Sequence, residues 1–155
     1  MAAYSECDVA LMRAAIECAK KCASVDSAYN VGAVIADAEG EVLSTGYSRQ
    51  LPGNTHAEQC ALEALGALEE RGMLASAGAA LYTTMEPCSK RLSGNAPCVQ
   101  RILAAGIQRV FVGTREPPNF VQCTGVAELE ANGVRVVHID AVEDECRQLN
   151  RHLAK

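Results

Sequence analysis

Apolar residues along the chain recur with two periods. Behind Ser5-Glu6-Cys7-Asp8, where a serine with an acid three positions on marks a helix start, Leu11, Ala15, Cys18 and Cys22 follow at helical spacing. Residues 31–36 form a short unbroken apolar run, read as a buried strand, and residues 41–47 return after the turn Asp37-Ala38-Glu39-Gly40, which makes a hairpin. A loop over 49–54 with Pro52 and Gly53 leads to a second helical pattern, in which Ala57, Ala61, Leu65 and Leu68 share a face and Gly72 lies near the end. Residues 79–84 predict a third strand. A helix over 97–105 follows, with Asn95 as a cap and Gly106 as its stop; then come a strand over 109–113, a short helix over 126–131, a strand over 134–139 and a closing helix over 142–153. From Thr55 onward helix and strand alternate, which implies parallel strands joined by crossover helices and a sheet covered on both faces.

Composition narrows the class. At 155 residues the chain has the size of one domain, and 49% apolar with 21% charged residues is a globular composition. The formal charge of −5, with Lys and Arg scattered rather than gathered in a stripe, argues against a polyanion such as nucleic acid as the partner. No export signal opens the sequence and no apolar run reaches the length of a membrane helix, so the expectation is a cytosolic or nuclear protein without a membrane partner. In a reducing compartment, eight cysteines read as thiols, with metal binding for those suitably spaced.

Two stretches carry that spacing: Thr55-His56-Ala57-Glu58, and Glu86-Pro87-Cys88 followed by Pro97-Cys98. One imidazole and two thiols suit Zn²⁺, which normally takes four ligands, so a site of His56, Cys88 and Cys98 keeps a position open for water and is catalytic in type. Glu58, a hard carboxylate two residues from the histidine, is placed to move a proton rather than to bind the metal. Taken alone, Thr55-x-x-Glu58 also reads as a capping box in which Glu58 only bonds the backbone; the two cysteines favour the catalytic reading. A His-x-Glu followed by Pro-Cys and a second cysteine is the signature of zinc-dependent base deaminases. Cys60, one turn after His56, is either a fourth ligand that closes the site or a buried thiol. Cys18 and Cys22 read as small buried thiols, and His138 and His152 as ordinary polar positions.

With these motifs placed, nearly the whole chain resembles the cytidine deaminase-like superfamily, which implies a three-layer α/β/α sandwich around a five-stranded mixed sheet of order 2-1-3-4-5. Two residues usually separate the second-motif cysteines in that superfamily; here there are nine. The run Pro87-Cys88-Ser89-Lys90-Arg91-Leu92-Ser93-Gly94-Asn95 is similar to the fungal form of the diaminopyrimidine deaminases of riboflavin biosynthesis. The resemblance implies zinc on His56, Cys88 and Cys98, with Glu58 as proton shuttle. It implies hydrolytic deamination of 2,5-diamino-6-(ribitylamino)pyrimidin-4(3H)-one 5′-phosphate to the corresponding aminouracil and ammonia, and a homodimer. A ribityl phosphate calls for cationic or hydrogen-bonding contacts, for which Lys90, Arg91 and Ser93 in the insertion, and Arg49, are candidates. Asn30 resembles a family position that contacts the pyrimidine, and the loop holding Asn119 and Phe120 is similar to a substrate-facing loop. The bacterial form differs in carrying a histidine where this chain has Lys90, and in a fused reductase.

Two other readings stand beside this one. A deaminase of another base, a nucleoside or adenosine in transfer RNA has the same metal site, although an RNA enzyme calls for a basic, aromatic-rich face and this chain has two Phe, four Tyr and no Trp. A non-catalytic zinc domain needs a fourth protein ligand, which Cys60 or a remote histidine would supply.

Overall fold

The Ser5 hydroxyl accepts the Asp8 N–H (3.2 Å) and the Asp8 carboxylate accepts the Ser5 N–H (2.8 Å), so helix α1 (Glu6–Ala19) begins with the expected closed box. It stops before Cys22, whose thiol instead faces Val31 O. The computed structural model describes residues 3–23, 25, 28–66, 74, 77–88, 96–115 and 125–153. Strands β1 (Gly32–Ala36) and β2 (Val42–Tyr47) form the expected antiparallel hairpin. Its turn is held by Asp37 Oδ1, which accepts the N–H groups of Glu39 and Glu41, with Gly40 at φ 85°.

Helix α2 (Ala57–Leu65) leads to β3 (Ala80–Met85), α3 (Cys98–Ala105), β4 (Arg109–Thr114), α4 (Gly125–Ala131) and β5 (Arg135–His138). The sheet has the order β2-β1-β3-β4-β5: β1 runs antiparallel to both neighbours, while β3, β4 and β5 are parallel. The order and the parallel half are as expected, with crossovers through α3 and α4. The closing helix is not continuous. A 3₁₀ turn (Asp140–Val142), helix α5 (Glu143–Gln148) and a second 3₁₀ turn (Arg151–Leu153) replace it, because Asn150 turns inward to bond Asn30 instead of extending a helical face.

Helices α2, α3 and α4 cover one face of the sheet and α1 and α5 the other. Leu62, Leu81, Ile102, Val110 and Leu129 lie in the first core; Met12, Val34, Tyr82, Phe111 and Cys146 lie in the second. Burying this apolar surface, at about 25 cal/mol per Å², is the main stabilising term. Two glycines set the helix-to-sheet distance. A Cβ on Gly32 would lie 1.8 Å from Ala15 O in α1, and one on Gly46 would lie 2.3 Å from Ala57 O at the start of α2. The backbone of α2 therefore rests directly on β2, where the Ser44 hydroxyl also donates to Ala61 O (2.8 Å). That contact fixes the position of the residue preceding α2, His56.

Candidate metal centre and active site

His56 is the N-cap of α2, in extended conformation. The capping box lies one residue later than Thr55-x-x-Glu58: Gln59 Oε1 accepts the His56 N–H (3.4 Å), and the Thr55 hydroxyl turns back to the Leu51 backbone. Glu58, 4% exposed, sits in the first turn, and the N3 residue of the box is Gln59. Strand β3 delivers the second motif. Glu86, Pro87 and Cys88 follow Met85 in irregular conformation.

Cys88 is met by the start of α3. The Cys98 N–H donates to Cys88 Sγ (3.3 Å) and the Val99 N–H to Cys88 O (3.2 Å). These N–H groups have no partner within their own helix, so the helix start satisfies itself on the cysteine. The N-cap of α3 is Pro97 rather than Asn95. Both thiols face the same imidazole nitrogen: Cys88 Sγ is 3.5 Å and Cys98 Sγ 3.4 Å from His56 Nδ1. The three donor atoms lie within 4.8 Å of one another, and among the described residues neither Cys60 nor Glu58 joins the group. Cys60 is buried in α2 as an apolar thiol. The hydrogen bond with Cys98, ahead of the His56 ring and the Cys98 N–H, holds the Cys88 thiol well below the usual thiol range, although burial works against it. A thiol biased toward its thiolate, beside a second thiol and an imidazole nitrogen, is the donor set Zn²⁺ takes.

Sequence reasoning left Glu86 without a role. Its N–H continues the β3–β4 ladder to Thr114 O (2.8 Å), and its carboxylate accepts the Val126 N–H of α4 (3.0 Å). Gly125 presses on the same segment, since a Cβ there would meet Pro87 O at 2.0 Å. The residues before Cys88 are thus gripped by β4 on one side and α4 on the other.

Asn30 and Arg49 are brought together at this end of the sheet: Arg49 Nη2 donates to Asn30 Oδ1 (2.7 Å). The next strand residue, Gly32, donates to Thr84 Oγ1 (3.1 Å) close to the end of β3. Lys90, Arg91, Ser93, Asn119 and Phe120 lie outside the described residues, as do Leu68, Gly72, Asn95 and Cys123. His138 is held by its own surroundings, with Nε2 3.2 Å from Gly113 O and 3.3 Å from Glu143 Oε1, and takes no part in the metal group. His152 faces the Val25 and Ala28 carbonyls.

The sheet order and the three converging donors define a zinc deaminase type of domain. Residues 5–114 match the family described as the cytidine and deoxycytidylate deaminase zinc-binding region, and the chain belongs to that family. It is 45% identical over 135 residues to the diaminohydroxyphosphoribosylamino-pyrimidine deaminase of Schizosaccharomyces pombe, covering 87% of this chain and 33% of the relative. The chain spans about a third of the length of such curated relatives. A structure of Aspergillus oryzae Rib2 deaminase, a C-terminal deletion mutant in complex with DARIPP, superposes with a TM-score of 0.81 at 30% identity, covering 96% of this chain and 92% of that one. The bifunctional deaminase and reductase of Thermotoga maritima superposes with a TM-score of 0.79 at 31% identity over 95% of this chain and 40% of its own. A dCMP deaminase of cyanophage S-TIM5, 22% identical with a TM-score of 0.61, shares the fold.

Proposed function

We propose that this chain deaminates a phosphorylated ribitylaminopyrimidine by hydrolysis, in riboflavin biosynthesis. The observation that carries the reading is the convergence of His56 Nδ1, Cys88 Sγ and Cys98 Sγ on one point, with Glu58 two residues from the histidine. The likeness to a Rib2 deaminase bound to DARIPP supports the substrate class.

In this reading His56, Cys88 and Cys98 hold zinc. When bound, the metal supplies a Lewis acid that brings the pKa of water toward 7. Two sulfurs and an imidazole leave a fourth position that no protein atom among the described residues fills. Glu58 would take a proton from the attacking water and pass it to the ring nitrogen beside the amine-bearing carbon, then take the remaining hydroxyl proton and pass it to the departing amine, which leaves as ammonia. Burial of Glu58 keeps bulk water from short-circuiting that transfer. Asn30, a buried amide at the metal end of the sheet, is the proposed contact to the pyrimidine. Lys90, Arg91 and Ser93 are proposed for the phosphate. The active assembly is proposed to be a homodimer.

The test is ammonia release by zinc-loaded protein given the ribityl substrate, its ribosyl precursor, cytidine and an adenosine-containing transfer RNA stem-loop. Turnover concentrated on the ribityl phosphate is expected. Turnover of cytidine or RNA with none of the ribityl compound would assign the site to another deaminase class, and zinc retention with no turnover of any substrate would make it a structural domain.

A further inference from the structure

Arg49 is the one non-glycine among the described residues with a left-handed backbone, at φ 63°. An L side chain is strained there, and such outliers persist where the surroundings impose them, commonly at working sites. Here the surroundings do so on several sides. The Arg49 N–H donates to Thr55 O at 2.7 Å, one residue before His56. The guanidinium turns back into the protein: Nη1 donates to Tyr29 O (3.1 Å), and Nη2 to Ala23 O (3.0 Å) and Asn30 Oδ1 (2.7 Å). Nε is buried and has no acceptor among the described residues, which adds to the cost of holding the guanidinium there.

Asn30 is held equally firmly from the other side. Its N–H donates to Asn150 Oδ1 (2.5 Å), its carbonyl accepts from Asn150 Nδ2 (3.2 Å), and its own Nδ2 donates to Leu149 O (3.3 Å). Three of the five N–H donors of Arg49 therefore already sit on protein acceptors, and a fourth, Nε, is buried. That is a poor arrangement for gripping a phosphate, the role its charge suggested. It is a good arrangement for tying the segment before β1 to the loop that delivers His56.

We propose that Arg49 is a positioning residue, which holds Asn30 in its working orientation and fixes the approach to His56 rather than binding the phosphate of the substrate. The proposal rests on the deaminase reading above. Its consequence is that removing the guanidinium harms turnover through Asn30, whatever the substrate carries at its far end.

The experiment compares wild type, Arg49→Gly, Asn30→Ala and the double variant, each zinc-loaded, on the ribitylaminopyrimidine phosphate and on its dephosphorylated form. Glycine adopts the left-handed backbone without strain, so Arg49→Gly removes the guanidinium and leaves the turn intact. Its kcat/KM is expected to fall about 10- to 100-fold, by the same factor for both substrates, and to fall less than about threefold further when Asn30 is already alanine. A loss confined to the phosphorylated substrate, or two losses that multiply in full, would overturn the proposal. Arg49→Lys separates the roles again: a phosphate contact would be largely kept by lysine, whereas a single ammonium does not span the three acceptors and the variant should behave like glycine. Amide hydrogen exchange at Asn30 and Val31 gives a readout independent of turnover. Faster exchange in Arg49→Gly is expected, and unchanged exchange would refute the clamp. Wild-type protein inactive on both pyrimidines would instead sink the deaminase reading, with exchange still deciding the clamp.

Discussion

Cys88 and Cys146 are both thiols packed beside the sheet, one against the start of α3 and one on the buried side of α5, and their surroundings push them in opposite directions. Cys88 sits against the Cys98 thiol, the His56 ring and a helix-start N–H, which together favour its thiolate. Cys146 sits in an apolar core, its sulfur so close to β4 that a Cβ on Gly113 would lie 2.4 Å away. Burial first, then the Glu145 and Glu143 charges, push that thiol up to about 12. Burial alone therefore does not make a cysteine into a metal ligand. What separates the two is a set of donors converging on the sulfur, and the fold builds that set where β3 ends against the first turns of α2 and α3.

The polar groups on the two sides differ in the same way. On the α1 side, the Tyr82 hydroxyl donates to Asp8 Oδ1 (2.6 Å) and its ring stacks on Phe111 with centroids 4.6 Å apart; Tyr4 donates to Asp140. These bonds pin a helix and a 3₁₀ turn to the sheet and converge on no common point. At the metal end, Glu86 holds the segment that leads into Cys88, Arg49 holds the loop that leads into His56, and Asn30 ties that loop to the segment before β1.

The largest expected effect comes from breaking the convergence itself. Cys98→Ser should lose zinc and turnover together, with activity down by more than the roughly 100-fold typical of residues one step removed from the metal. Stoichiometric zinc with full turnover in that variant would remove Cys98 from the ligand set. Glu58→Ala should keep zinc by metal analysis and keep the melting temperature near wild type, while kcat falls about 10²- to 10⁴-fold. Loss of zinc with the carboxylate would show that Glu58 binds the metal.

Glu86→Ala is the next test, since it strips the Val126 N–H of its acceptor. It should cost about 1–3 kcal/mol in denaturant unfolding and weaken zinc about 10-fold in a chelator competition. Glu86→Gln, which keeps an oxygen acceptor, should restore most of both. Equal losses in the two variants would mean that the charge, rather than the bond to α4, is what matters.

The smallest effect concerns pH on the opposite face. The folded state keeps Cys146 neutral up to about 12, whereas the unfolded chain ionises it near 9. Its contribution to stability is therefore whole below about pH 9 and is lost progressively as pH rises from 9 toward 12. Melting temperatures from pH 8 to 10.5 should decline more steeply for wild type than for Cys146→Ala. Parallel declines would mean that the buried thiol is not what the alkaline side titrates.

The strands and the ligand set were readable in the sequence because both depend on local signals. Unbroken apolar runs between turn residues place β1, β3 and β4 within a residue or two, and histidine, cysteine and proline in sequence announce a metal site. The features that escaped are those decided by distant contacts. The box at α2 moves from Glu58 to Gln59 because the Thr55 hydroxyl is taken by the Leu51 backbone. The C-terminal helix breaks because Asn150 answers to Asn30, 120 residues away in sequence. Arg49, read as a candidate contact to the phosphate, is drawn inward by carbonyls on another loop. Glu86 stood in plain view within Glu86-Pro87-Cys88, yet only the packing of α4 gives it a role.

The most direct measurement is zinc X-ray absorption on the metal-loaded protein, with the Cys60→Ala variant as a control. Two sulfur scatterers, one imidazole and one light atom from solvent are expected, unchanged in the variant. A third sulfur, a second imidazole or a site altered by losing Cys60 would contradict that ligand set.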